Sequence, residues 1–164
     1  MSVHDFEHLA ARLDAPMMIV TAYDGHERSG CLVGFHTQCS IDPPRYLVCL
    51  SKTNHTFGIA LNATRLVVHI LHDDQRDLAD LFGGTTADTI GAEAKFARCA
   101  WQPDAGGAPI IAGCDWFAGT IRERRDLGDH VAHIIDVSAC VIVHKPARQL
   151  GFQSVSGMKP GHAP

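Results

Sequence analysis

The 164-residue sequence has little excess charge, few aromatic residues and no long apolar segment. Lysine and arginine total 14 against 18 aspartates and glutamates, which gives a formal net charge of −4. A nucleic-acid-binding surface normally needs a basic patch, so a binder of that kind is not predicted. Apolar runs such as residues 66–71 fall far short of the ~20 residues that span a bilayer, so we predict no membrane segment.

Metal and nucleotide motifs are also missing. The six cysteines form no Cys-x-x-Cys pair and the eleven histidines form no His-Glu-x-x-His spacing, so no metal site is predicted. No Gly-x-Gly-x-x-Gly follows a predicted strand, which argues against a Rossmann dinucleotide site. The N-terminus has no basic region before an apolar core and thus predicts no secretory signal. We therefore expect a cytoplasmic protein whose cysteines are thiols, most of them buried.

What remains is the composition of an ordinary globular domain. Hydrophobic residues make up 46% of the chain and charged residues 20%, and this length can bury a core without disulfides. The segment from 145 onward holds several prolines and glycines and little periodicity. We predict one domain over residues 1–150 and a C-terminal tail over 151–164, either disordered or reaching a partner subunit.

Short apolar runs between turn signals predict a mainly β protein. Strands are expected over residues 17–23, 30–37, 46–51, 65–71, 115–125 and 130–143, and Asp24-Gly25 is a strong hairpin signal. Short helices are expected near residues 6–13, after Asn54, and from Asp73 to Phe82. Residues 85–105 predict a loop with at most a short helix, which we interpret as a mobile lid. Tight turns between most strands favour an antiparallel, barrel-like sheet.

Residues 30–56 concentrate the polar chemistry of the chain. Two apolar runs are each followed by a loop of small polar residues, and the second loop opens a predicted helix. Hydroxyls, an amide, Lys52 and the free N–H groups of a helix N-terminus suit a phosphate and a flat polar ring.

The sequence resembles the flavin reductase-like domain family, the FMN-binding split barrels. The resemblance covers about residues 5–145 and rests on the order of short matches, among them Ile19-Val20-Thr21-Ala22, Ser40-x-Asp42-Pro43-Pro44, Asn54-His55-Thr56, Lys95-Phe96 and Gly128-Asp129-His130. It implies a six- to seven-stranded antiparallel split β-barrel of Greek-key type with short flanking helices. It also implies a homodimer that binds FMN or FAD at its subunit interface and accepts hydride from NADH or NADPH.

The resemblance further implies roles for particular residues. The flavin ring edge would lie against His36, Thr37, Gln38, Cys39 and Ser40, and the ribityl chain and phosphate against Ser51, Lys52, Asn54 and Thr56. Gln75, Phe82 and Gly83 would flank the cofactor, and His130 would be the catalytic residue that orients the nicotinamide. The chain departs from many members between Gly30 and Ser40, where only Thr37 and Ser40 carry hydroxyls.

Three functions remain open at the level of sequence. The first is an NAD(P)H:flavin oxidoreductase. Its reduced flavin would be used on the spot or passed on, with the protein as the reductase component of a two-component monooxygenase. The second is a flavin-binding electron carrier without NAD(P)H oxidation. The third is a split-barrel protein with another cofactor, such as a deazaflavin or a haem-linked partner. His130 and the 85–105 loop would decide between the first two functions, since a loop closed over the exposed face of the flavin would weaken NAD(P)H binding and favour the carrier.

Overall fold

The structure, a computed structural model, describes residues 3–84, 91–143, 148–159 and 161. Its helices are α1 (Val3–Ala10), α2 (His55–Asn62), α3 (Arg76–Gly83) and α4 (Ala92–Phe96), with 3-10 turns at Asp73–Gln75 and Phe152–Ser154. Its strands are β1 (Met18–Tyr23), β2 (Arg28–Val33), β3 (His36–Ser40), β4 (Arg45–Ser51), β5 (Arg65–Ile70), β6 (Trp101–Pro103), β7 (Pro109–Ile111), β8 (Asp115–Asp126) and β9 (His130–Val141).

Seven strands form one antiparallel sheet in the order β2-β1-β5-β8-β9-β4-β3. Strands β2 and β3 lie at opposite edges of this sheet, yet only Gly34 and Phe35 separate them in the chain. A two-residue link reaches at most about 10 Å, so the sheet must curl until its two edges come together. The predicted split β-barrel is therefore confirmed, with seven strands in its main sheet.

Two sequence predictions need correction, one of a strand and one of a loop. Residues 30–37 do not form one strand, because the chain changes partner at Gly34 and Phe35: β2 pairs with β1, and β3 pairs with β4. Within residues 91–105 the structure forms α4 and β6, and β6 pairs with β7 in a separate two-stranded sheet. Residues 85–90 of the predicted lid lie outside the described residues.

The barrel interior is filled by aliphatic side chains from alternate positions of the strands. Val20, Leu50, Leu66, Val68 and Ile135 are each at most 1% exposed. This packing explains the curl of the sheet, since a curled sheet buries one face of every strand against the others.

A second apolar cluster lies outside the barrel, where α3, α4 and the chain after residue 148 cover β1 and β2. Leu150 and Val155 are 3% and 4% exposed within this cluster. Gly151 forms a bridge with Pro16, and Gln149 forms one with His72. The described part of the predicted C-terminal tail thus packs on the body of its own chain, and the boundary at residue 150 stays a prediction.

Among the described residues, none of the helices combines the length and the apolar character needed to cross a bilayer.

Candidate functional site

A polar turn joins the end of β4 to the start of α2. Asn54 is the N-cap of the helix, and its side-chain oxygen accepts a hydrogen bond from the Thr56 backbone N–H at 2.9 Å. The hydroxyls of Ser51 and Thr53 lie 3.0 Å apart in the same turn. The first turn of α2 contains no carboxylate, so the partial positive charge of its N-terminus is not offset there. This turn is suited to an anion.

Buried and half-buried pairs tie the start of α2 to strand β2. The Thr56 hydroxyl lies 2.9 Å from the Ser29 hydroxyl, and both residues are almost fully buried. His55 Nε2 lies 2.6 Å from a carboxylate oxygen of Glu27, which precedes β2. These contacts fix the helix N-terminus relative to the sheet.

Lys52, the cation of the turn, contacts the β8–β9 hairpin. Its Nζ donates to the Asp126 carboxylate at 2.7 Å, and its backbone N–H donates to the Asp129 carbonyl at 2.9 Å. The hydrogen bond from Lys52 holds the pKa of Asp126 below its usual range. Both side chains are well exposed, so the ion pair contributes little to stability. It places a carboxylate next to the cation of the site.

His130 lies beside this turn because the β4–β9 register pairs it with Ser51. Its ring Nδ1 lies 2.8 Å from a carboxylate oxygen of Asp129, and this hydrogen bond lowers the pKa of Asp129. Gly128, with a φ of +122°, forms the turn that precedes the pair. With Nδ1 donating to Asp129, Nε2 is the ring atom that remains for a ligand.

Strand β3 carries the five residues predicted for the flavin ring edge. The His36 ring is engaged at both nitrogens: Nε2 donates to the Pro16 carbonyl at 2.6 Å, so Nδ1 accepts from the Tyr46 hydroxyl at 2.7 Å. Thr37, Gln38 and Cys39 are exposed on this edge strand. An edge strand presents unpaired backbone N–H and C=O groups, which can meet the polar edge of a flat ring.

The residues predicted for the flavin ring edge lie at different distances from the polar turn. His36 pairs with Val48, three positions before Ser51. Ser40 pairs with Arg45 at the far end of β4, which places it about 20 Å from Ser51 at the usual rise per residue. The structure therefore brings His36 and His130 close to the polar turn and leaves Ser40 remote from it.

The three residues predicted to flank the cofactor make internal contacts. The Gln75 amide caps the backbone N–H of His72 at 3.0 Å and donates to the Gly113 carbonyl at 2.8 Å. Phe82 is 1% exposed and packs against Phe96 with ring centroids 5.7 Å apart. A side chain at Gly83 would approach the Met158 side chain to 2.6 Å. The Phe82 side chain offers no surface to a cofactor in this chain.

Residues that the sequence analysis did not single out complete the site. Ser29 meets Thr56, Asp126 meets Lys52, and the Phe35 ring lies 5.1 Å from the His130 ring. Each of these contacts joins segments far apart in the chain. Of these residues, only Phe35 could have been found from the sequence, because it lies in the stretch between Gly30 and Ser40 that departs from the family pattern.

The donors of the β4–α2 turn fit a phosphate-bearing cofactor. A capped helix N-terminus without acidic residues, the Ser51 and Thr53 hydroxyls and Lys52 supply neutral and charged donors within one turn. The edge strand β3 pairs with β4, the strand that leads into this turn, and supplies backbone groups for a flat ring. FMN and FAD both combine a phosphate with such a ring.

The curled seven-stranded sheet, with this polar turn beside its edge strand, defines an antiparallel split barrel. A family model described as "Flavin reductase like domain" matches residues 10–156. The chain belongs to that family, as the resemblance predicted.

Curated relatives carry different names within this family. A "Probable flavin reductase" of Rhizobium meliloti (strain 1021) is 30% identical over 125 residues, 73% of this chain and 38% of that protein. An "Actinorhodin polyketide dimerase" of Streptomyces coelicolor is 31% identical over 82% of this chain and 74% of that protein. An "FMN reductase (NADH) RutF" of Bradyrhizobium diazoefficiens is 29% identical over 85% of this chain and 73% of that protein. The chain thus spans little more than a third of the first of these.

A solved structure supports the fold and the family. Nitrilotriacetate monooxygenase component B from Mycobacterium thermoresistibile superposes with a TM-score of 0.76 at 27% identity, over 87% of this chain and 78% of that chain.

Proposed function

We propose that this protein is an NAD(P)H:flavin oxidoreductase that passes hydride from a nicotinamide to bound flavin. The observation that carries the proposal is the polar turn at the N-terminus of α2, which lies directly beside His130. A phosphate-binding surface and a positioned imidazole are then parts of one site. Relatives named flavin reductase and FMN reductase (NADH) support this activity.

Within this proposal each part of the site has a physical task. The flavin, when bound, supplies the chemistry of hydride acceptance. Lys52, Ser51 and the N-terminus of α2 would hold its phosphate, and Thr56 keeps the helix in place through Ser29. The backbone N–H and C=O groups of the edge strand β3 would face the polar edge of the ring.

His130 acts by position rather than by proton transfer. Hydride transfer requires two rings at close and defined separation, and a fixed imidazole helps to set that geometry. Asp129 fixes the orientation of the imidazole through Nδ1. We assign His130 to the nicotinamide side of the site.

FMN and NADH are the pair that we propose first. The Bradyrhizobium relative is named for both compounds. The donors of the turn match one phosphate group, which FMN carries at the end of its ribityl chain. FAD would need further contacts for its adenylate half.

We also propose a homodimer, a cytoplasmic location and transfer of reduced flavin to a monooxygenase. Exposed apolar side chains near the sheet margins, Ile41 at 85% and Ile142 at 80%, are suited to a subunit interface. All six cysteines are free thiols, which agrees with a reducing compartment. The similarity to a protein named as a monooxygenase component supports an oxygenase partner.

One experiment tests the central proposal. The purified protein is loaded with FMN, its visible spectrum is recorded, and NADH or NADPH is added without oxygen. We expect the flavin band to bleach. A protein that binds FMN but does not bleach with either nicotinamide is an electron carrier, and a protein that binds no flavin contradicts both functions.

A further inference from the structure

Phe35 has a large apolar side chain that is exposed to solvent at the rim of the candidate site. It is 65% exposed and lies in the two-residue link between β2 and β3. Its carbonyl accepts a hydrogen bond from the Cys49 N–H at 2.9 Å, and the next residue, His36, is fixed at both ring nitrogens. The backbone that carries the exposed ring is therefore anchored on both sides of the curled sheet.

The Phe35 ring rests against the imidazole of His130. The ring centroids are 5.1 Å apart and the planes are tilted by 50°. His130 is itself fixed through Asp129, whose carbonyl accepts the backbone N–H of Lys52 at 2.9 Å. Two aromatic rings, each on an anchored backbone, thus form an angled pair next to the polar turn.

We infer that Phe35 and His130 together seat the nicotinamide ring of NAD(P)H, with Phe35 as a contact residue that sets nicotinamide affinity. This inference rests on the proposed function. Flat rings bind favourably against aromatic faces and edges, and the two rings of this pair are set at an angle to one another. A co-substrate that enters and leaves in every turnover requires a seat open to solvent, which the exposure of Phe35 provides.

The test compares Phe35→Ala and Phe35→Tyr with the wild type, each loaded with FMN. For Phe35→Ala we expect KM for NADH to rise about three- to tenfold, the range of one aromatic contact. We expect kcat and the Kd for FMN to change by less than about twofold, and Phe35→Tyr to restore KM. Phe6→Ala is the matched control, since Phe6 is a similarly exposed phenylalanine, at 70%, on α1.

The outcomes separate this inference from the proposed function. A wild type that binds FMN but oxidises no nicotinamide overturns both. A wild type that is active, with an unchanged KM in Phe35→Ala, overturns the inference alone. An active Phe35→Ala variant whose Kd for FMN rises while KM is unchanged assigns the ring to the flavin and also overturns it.

Discussion

Lys52 Nζ lies 2.7 Å from Asp126 Oδ2, so the cation of the polar turn is paired with a carboxylate from a strand 74 positions further along the chain. An incoming phosphate meets both charges. Lys52 attracts the phosphate, and Asp126, whose pKa the pair lowers, stays ionised and repels it. Phosphate affinity at this turn is therefore set by two residues of opposite sign.

Removing the repelling charge should tighten flavin binding. For Asp126→Asn we expect the Kd for FMN to fall by about two- to fivefold at low salt and less at high salt, since exposed charges are screened. Riboflavin, which lacks the phosphate, should bind unchanged. Fluorescence titration at two salt concentrations measures both ligands. Asp77→Asn removes the same charge from an exposed position on α3 and should change neither Kd; an equal effect there would assign the change to net charge alone.

Loss of the phosphate donors should weaken binding of FMN specifically. For Lys52→Ala combined with Asn54→Ala we expect the Kd for FMN to rise about tenfold or more, since a hydrogen bond to a charged group contributes roughly 1.5–3 kcal/mol. Asn54→Asp retains an N-cap but adds a negative charge, so it should also weaken FMN binding while the helix stays capped. Isothermal titration with FMN and riboflavin measures the difference.

Asn62→Ala is the control for the double variant, because Asn62 is exposed at the other end of α2. Its FMN affinity should equal that of the wild type. If the double variant retains full FMN affinity, the phosphate does not bind at this turn.

Removing the imidazole should slow hydride transfer without stopping it. For His130→Ala we expect the rate of anaerobic flavin bleaching to fall about ten- to thirtyfold, because a positioning group is lost while the two rings remain bound. Stopped-flow absorbance with excess NADH measures this rate. The control is His26→Ala, an exposed histidine in the β1–β2 turn. Complete loss of bleaching would instead indicate that His130 is required as an acid or base.

The buried His69 should make stability depend on pH. Its Nδ1 donates to the Ile19 carbonyl and its Nε2 accepts from the Ile111 N–H, each at 3.0 Å, so the neutral ring uses both nitrogens. Burial lowers the pKa of His69 from 6.5 to about 4. The unfolded chain therefore binds more protons than the folded one between these values, and stability falls as pH decreases from about 6.5 towards 4.

A glutamine at this position isolates the contribution of His69. A glutamine side chain carries one N–H donor group and one acceptor atom, as the neutral imidazole does, but has no titrating proton. We expect the wild type to lose on the order of 2 kcal/mol more than this variant between pH 7.5 and pH 5. Urea unfolding followed by circular dichroism measures the free energy of unfolding of each protein at both pH values, and so the loss in each protein. Parallel losses in both proteins would show that His69 does not titrate on unfolding.

Much of the fold could be predicted from local sequence because each strand carries its own periodicity and turn signals. The hairpin at Asp24-Gly25, the long strands β8 and β9, and the Asn54 cap are all read within a few residues. The break at Gly34 and Phe35 could not be predicted in this way. No local pattern in that stretch indicates that the chain leaves one edge of the sheet and joins the other.

The sequence by itself determined the polar turn from Ser51 to Thr56 and the family to which the chain belongs, because both depend on residue types at short spacing. Only the tertiary structure decided what lies around that turn. Strand pairing places Asp126 against Lys52 and Phe35 against His130, buries Phe82 away from the site, and leaves Ser40 at the far end of β4. These contacts join distant segments through the register of the curled sheet, which no short stretch of sequence specifies.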